Sequence, residues 1–336
     1  KRGGDGPPAD PIHENRRVLQ DKSREREYPP GSDSLPGRKG HRLHRFRNRG
    51  DERRRGELRQ HEKKGDRRQR RILREALGGY YGIPVIDFKV PFAKDIDYDE
   101  LERIVEAERP DVFLCQHHET STGQLFNLER ISGICRRHNL SLVVDVISSF
   151  LAEELDMDRL GIDICVTSTQ KGLNIPPGLS ILFISKRLEG YEYAHRGYYW
   201  DFADNLSNLR RGQTPFSPAT TIHLQLHARL RQILSQGGEA VNIAQVRHRA
   251  EVFREECRRY GWTMPAEVPS SAITAIQTKD TADRHIFNGL IERYQTYIMP
   301  GSVPGFYRIS HMGIQSDEDL RILAERIHAL ESEIDE

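Results

Sequence analysis

The pattern of hydrophobic and polar positions changes character near residue 76. From there on, short apolar runs alternate with stretches carrying apolar residues at helical spacing. Ile83-Pro84-Val85-Ile86-Asp87-Phe88 predicts a strand, and Tyr98 to Glu108 an amphipathic helix. Val112 to Gln116 predicts a second strand, followed by a helix from Leu128 to His138. Leu142 to Asp145, Ile164 to Thr167 and Leu179 to Ile184 predict three more strands. Strands and helices at this spacing imply an α/β fold with a mostly parallel sheet and helices on both faces.

Beyond Thr214-Pro215-Phe216-Ser217-Pro218 the pattern becomes helical. One helix is expected over Thr221 to Leu234 and a second, after a break at Gln236-Gly237-Gly238, through Tyr260. Ser271 to Gln277 and Phe306 to Ser310 read as strands, and Asp317 to Ile334 as a closing helix. The expected organisation is a large domain over residues 76–235 and a smaller C-terminal α+β domain over residues 236–336.

Residues 1–75 follow neither period. They hold 24 Lys and Arg against 13 Asp and Glu, while the remaining residues hold 27 against 37. The near-neutral total of 51 against 50 therefore conceals a strongly basic segment joined to a mildly acidic one. With so few apolar residues the basic segment cannot offset its ordering entropy, and disorder or poor packing is expected. Cys115, Cys135, Cys165 and Cys257 are widely spaced without a C-x-x-C pair, which fits reduced thiols and a cytoplasmic setting. No apolar run reaches membrane-spanning length and no signal-peptide core is expected at the start.

Asp145 closes the apolar run Leu142-Val143-Val144, and Lys171 follows the run Ile164-Cys165-Val166-Thr167 by a few residues. Each charge thus stands just past the carboxyl end of a predicted buried strand, where open α/β sheets place ligands. A lysine after a strand is most often solvated surface. Paired with a carboxylate at the same rim, it suits pyridoxal 5'-phosphate, whose aldehyde joins an amine and whose ring nitrogen needs an anionic partner. Thr120, after the strand ending at Gln116, belongs to the same rim, although an ST-turn or helix cap explains it equally well. Arg308 lies within the predicted strand Phe306 to Ser310; its fork suits a carboxylate, or a surface acid. His117 and His118 are adjacent without a third ligand nearby, so no metal site is expected, and they read as structural or as lining a cofactor ring.

The stretch Ser168-Thr169-Gln170-Lys171-Gly172-Leu173-Asn174-Ile175-Pro176-Pro177-Gly178 resembles the Schiff-base segment of class V aminotransferases, within the fold type I PLP-dependent family. Leu142 to Ser149 resembles that family's pyridine-binding strand, and the spacing from Asp145 to Lys171 agrees. The loop from His118 through Gly123 is similar to the family's histidine–glutamate–hydroxyl loop, which implies that Thr120 bonds the cofactor's phenolic oxygen. The resemblance also implies that Gln170 lies beside the cofactor phosphate. Gly212-Gln213-Thr214-Pro215-Phe216 resembles the segment that reaches a partner subunit's cofactor, with Thr214 on the phosphate, and so implies a homodimer with shared active sites. Tyr307-Arg308-Ile309-Ser310-His311-Met312-Gly313 resembles the substrate-carboxylate segment and assigns Arg308 to it. Within the family, the chain resembles alanine–glyoxylate and 2-aminoethylphosphonate–pyruvate transaminases. The resemblance implies transfer of an amino group from alanine, serine or aminoethylphosphonate to glyoxylate or pyruvate. A lyase or desulfurase on the same fold is the alternative, and would need a reactive cysteine; a cofactor-deficient, inactive member is another.

The glycine-rich turn with which the family cradles the cofactor phosphate is missing upstream of Tyr80. Yet His41 to Gly50 can be encoded by codons that read Thr-Gly-Ser-Thr-Gly-Ser-Gly-Thr-Gly one base over. The expectation is that residues 1 to about 70 are an out-of-frame translation of the family's N-terminal region. The competing expectation is a basic tail that contacts nucleic acid, which the lack of aromatic interleaving disfavours.

Overall fold

The computed structural model describes residues 82–188, 191, 193, 197–280, 284–301 and 303–334. All of these fall within one unit, residues 62–336; the expectations for residues 1–75 lie outside the described residues.

Helix α1 (Tyr98–Glu108) starts where the Asp97 side chain accepts from the Glu100 amide and ends at Arg109 in the left-handed region, burying Tyr98, Leu101 and Val105. Strand β1 (Val112–Gln116) follows, then a short hairpin of β2 (His118–Glu119) and β3 (Gln124–Leu125). Helix α2 (Leu128–Arg137) is capped by Asn127 and leads into β4 (Ser141–Asp145). A single turn, α3 (Met157–Leu160), precedes β5 (Ile164–Ser168) and β6 (Ser180–Ile184).

These strands form a sheet in the order β1-β4-β5-β6. The first three are parallel and β6 is antiparallel to β5. The reversal follows from the connection. Residues 169–179 form no helix, and a parallel return needs a crossover of about a dozen residues or more, usually helical. The mostly parallel sheet of the sequence expectation is present. The strand expected over Ile83 to Phe88 is not: it pairs with no described strand, Pro84 has no N–H to give a ladder, and Ile83 and Ile86 are each 49% exposed. One core joins α1 and α2 to the sheet, with Ile131 and Val144 fully buried.

Helix α4 (Phe202–Arg210) lies in a stretch for which no helix was expected. Helices α5 (Thr220–Ser235) and α6 (Gly238–Tyr260) match the expected pair, with the break at Gly237 in the left-handed region. Strand β7 (Ile273–Gln277), helix α7 (His285–Tyr294), strands β8 (Met299–Pro300) and β9 (Phe306–Ser310), and helix α8 (Asp317–Ser332) complete the chain. Here the sheet is antiparallel, ordered β7-β9-β8. Its core packs α6, α7 and α8 against β7 and β9 around Phe253, Ile276, Leu290 and Ile327.

Buried polar ties join the two cores and fix the second sheet over the first. Glu153 accepts from the Ser270 hydroxyl at 2.8 Å and the Ser271 amide at 2.5 Å. The fully buried Gln124 accepts from the Val268 amide at 3.1 Å, and the Ser270 amide donates to the Gly123 carbonyl at 2.8 Å. Gly123 has φ +79, and a Cβ there would approach the Ile273 carbonyl at 2.9 Å, so only glycine permits the hairpin to sit this close to β7.

Candidate active site

Strand register aligns the chemistry. Gln116 pairs with Asp145, and Asp145 pairs with Val166, so β1 and β4 end level while β5 runs two residues further to Ser168. The His117 amide continues the ladder by donating to the Asp145 carbonyl at 2.9 Å. The loops after these ends carry Thr120, Asp145 and Lys171 to one rim.

The loop of Lys171 is held from beneath. Asn174 donates its amide to the Lys171 carbonyl at 2.8 Å, and the Thr169 hydroxyl donates to the Pro176 carbonyl at 2.8 Å. Gly172 packs so closely on the Phe150 carbonyl that a Cβ would fall on its oxygen. Lys171 itself is half-buried, and among the described residues its amine has no hydrogen-bond or ion-pair partner. It acts electrostatically on both His118 and Asp145.

Asp145 opens to the rim, and the Ile147 amide donates to its Oδ1 at 2.8 Å. Protein packed beneath raises its pKa above the ordinary carboxylate value; the Ile147 hydrogen bond lowers it, Glu119 raises it and Lys171 lowers it. A carboxylate in this environment gains from a nearby cation. His118 is buried, with Nδ1 against the Ser148 hydroxyl at 2.9 Å. Burial, then His117 and Lys171, push its pKa down to about 3, and burial alone takes His117 down to about 4. Both imidazoles are therefore neutral at physiological pH.

Arg308, on β9, reaches this rim from the other sheet. Its Nη1 donates to the Thr120 carbonyl at 3.2 Å and its Nη2 to the Pro300 carbonyl at 3.4 Å. Burial lowers its pKa and Glu119 opposes that shift. The structure thus brings together Thr120, Asp145, Lys171 and Arg308. Gln170 is exposed on the same loop as Lys171. Thr214 is not brought to this cluster: it is exposed in the turn before α5, its hydroxyl spent on the Phe216 carbonyl at 2.6 Å. Glu119 and Ser148 belong to the site although they were not singled out. Glu119 accepts from Gln116 Nε2 at 2.8 Å and acts on both Asp145 and Arg308. Its signal was legible, since it stands inside the quoted hydroxyl loop. Cys257 is fully buried in α6 and its thiol is pushed up to about 12 by burial, which disfavours the reactive cysteine of a desulfurase.

Do these residues fit pyridoxal phosphate? His117 Nδ1, His118 Nε2, Thr167 Oγ1, Ser168 Oγ and Arg308 Nε are buried without partners, and all belong to the strand ends and loops of this rim. Buried polar atoms are seldom left unpaired. Together with an unpaired lysine and a carboxylate short of a cation, they fit the ring end of that cofactor. The phosphate-cradling turn of the sequence expectation would lie outside the described residues. No group of three His, Cys, Asp or Glu suited to a metal occurs among the described residues.

The sheet, its antiparallel edge and a lysine–aspartate rim define the fold type I class of PLP-dependent transferases. Residues 74–194 match the family model described as Aminotransferase class-V. The chain is 26% identical over 257 residues to the soluble hydrogenase 42 kDa subunit of Anabaena cylindrica, covering 73% of this chain and 66% of that one. It is 29% identical over 254 residues to the L-aspartate–glyoxylate aminotransferase of Paracoccus denitrificans, covering 70% and 63%. The crystal structure of an alanine–glyoxylate aminotransferase from Nostoc superposes with a TM-score of 0.70 at 22% identity, over 76% of this chain and 71% of that one. The chain spans about two thirds of the length of the curated relatives it matches.

Proposed function

We propose that this chain is a PLP-dependent aminotransferase that moves an amino group from a small donor (alanine, serine or aminoethylphosphonate) to glyoxylate or pyruvate. The observation that carries this reading is the convergence of Lys171, Asp145 and Arg308 from two sheets on one rim. Lys171 and Asp145 would hold the cofactor's ring end, Thr120 would serve its phenolic oxygen and Gln170 its phosphate. When bound, the cofactor supplies an aldehyde carbon that joins an amine and a ring that takes up the electron pair released at the substrate's Cα. Asp145 keeps a proton on the ring nitrogen. Arg308 grips the substrate carboxylate, turning from the Thr120 carbonyl to a stronger, charged acceptor. Lys171, with no competing partner, takes the proton from Cα and returns it on the other side of the exchange. The donor leaves as its carbonyl compound, an oxo acid from alanine or serine and an aldehyde from aminoethylphosphonate, and the acceptor leaves with the amino group.

Thr214 is assigned to a partner subunit's cofactor phosphate, in a homodimer with shared sites. Support comes from the exposed aromatics beside it: Tyr198 is 87% and Trp200 77% exposed, and Tyr199 stacks on Phe216 at 5.0 Å. A cytoplasmic setting is supported by four free cysteines. No helix among the described residues is long and apolar enough to cross a membrane. Residues 236–336 are assigned to a small domain, supported by their own core.

Adding pyridoxal phosphate to the purified full chain should produce a visible absorption band, and glyoxylate with alanine or serine should then yield glycine. Lys171→Ala should remove both. A protein that stays colourless with added cofactor would instead support the cofactor-deficient reading.

A further inference from the structure

A second cavity, of about 340 Å3, lies where α5, α6 and the turn after β9 meet. Arg229, Asn242, Gln245, Arg249, Gly313 and Gln315 line it, and Lys171, Asp145, Thr120 and Arg308 do not. No acid lines it. The nearest acting on it, Asp317, raises the pKa of Arg249 but is itself paired with His248 at 2.8 Å.

Arg249 is only 9% exposed. Its Nε donates to the His311 carbonyl at 2.9 Å, and among the described residues its two terminal nitrogens have no hydrogen-bond partner. The residue is nine-tenths buried and lines the cavity, so these donors are held in place for an acceptor there. Arg229 spends Nε on the Leu173 carbonyl at 3.1 Å and Nη1 on Gln232 at 2.8 Å, leaving Nη2 without a hydrogen-bond partner among the described residues. Across the cavity, Gln315 Oε1 is buried without a partner. Two arginine forks with an unpaired amide acceptor match an oxyanion that also carries a hydrogen-bond donor.

We propose that this cavity binds a small carboxylate- or phosphate-bearing anion at a site distinct from the catalytic rim. The two arginines tie the ligand to both halves of that rim. Arg229 holds the carbonyl of Leu173, two residues after Lys171, and Arg249 holds that of His311, three residues after Arg308. Gly313 closes the link, because a Cβ there would meet the Asn174 side chain of the lysine loop at 3.2 Å. Occupancy therefore bears on the position of Lys171 and of the substrate clamp together.

Calorimetric titration of the full chain with inorganic phosphate and, separately, with glycolate, a carboxylate that carries a hydroxyl donor, tests the site and tells phosphate from carboxylate preference. Saturable binding of at least one probe is expected, weakened by roughly tenfold or more in Arg229→Gln and in Arg249→Lys and unchanged in Lys171→Ala. Arg229 is only half-buried on α5, so Arg229→Gln decides the matter if Arg249→Lys fails to fold. Absence of saturable binding by either probe overturns the proposal. So does binding that Arg229→Gln leaves intact, or that Arg308→Gln abolishes while Arg229→Gln does not, which would assign the anion to the substrate clamp.

Discussion

Gly172 shows how much of the site rests on a hydrogen atom. The lysine loop lies against the Phe150 carbonyl, and a Cβ at Gly172 would also stand 3.3 Å from that of Leu151. A backbone oxygen cannot rotate aside, so the loop must move. Gly172→Ala is expected to lose about 1–3 kcal/mol of stability and to weaken cofactor uptake at Lys171, read as a lower urea midpoint and a fainter visible band. Gly133→Ala is the control: in α2 the added methyl would meet only the end of the Arg137 side chain, at 3.3 Å. It should gain about 0.5–1 kcal/mol. The buried histidines set the acid limit. His117, His118 and His311 have pKa values lowered to about 4, 3 and 3, the last by burial, Arg254 and Arg249. Unfolding exposes them to their ordinary value of about 6.5, so the unfolded chain binds more protons below that pH. Their contribution is complete above about 6.5 and is lost as pH falls toward 4. Urea midpoints measured between those limits should fall steadily; each extra proton bound on unfolding adds about 1.4 kcal/mol per pH unit to the slope. His311→Gln should flatten it, and an unchanged slope would show that these rings charge without unfolding.

At the scale of elements, legibility followed the source of each signal. The strands ending at Gln116, Asp145 and Ser168 were readable because they are short apolar runs of a parallel sheet; Asp145 closes one of them and Lys171 stands just past another. Helix α8 was readable from its start, where Ser316 and Asp319 form a reciprocal capping box. Ser316→Ala should cost about 1 kcal/mol, seen as a lower thermal midpoint. Helix α7 was missed because its start carries no local cap: Arg284 occupies the cap position in the left-handed region. The amides of His285 and Ile286 are instead satisfied by Asp280, each at 3.0 Å, a partner no local window would assign. The two-residue strands β2 and β3 are too short for any periodicity, yet their hairpin delivers Thr120 to Arg308. That contact joins residues 188 positions apart, a pairing no local pattern encodes.

At the scale of the whole molecule, no described strand pairs with the outer edge of β1. Val112 and Leu114 on that strand are 47% and 45% exposed, and the apolar segment at Ile83 to Phe88 pairs with no described strand. An apolar strand at an open edge is a template for further pairing. The expectation that residues 1 to about 70 are an out-of-frame translation of a glycine-rich, phosphate-cradling region is tested on this edge and on the cofactor. Two measurements follow. The coding DNA, read one base over across His41 to Gly50, should give the glycine- and hydroxyl-rich turn; any other product ends the idea. A chain expressed with that frame restored should bind pyridoxal phosphate more tightly, by tenfold or more if each regained phosphate hydrogen bond contributes about 1–2 kcal/mol. In the same chain the amides of Val112 to Leu114 should gain protection from hydrogen exchange. Tighter binding without that protection would mean that the turn had been restored but the sheet had not.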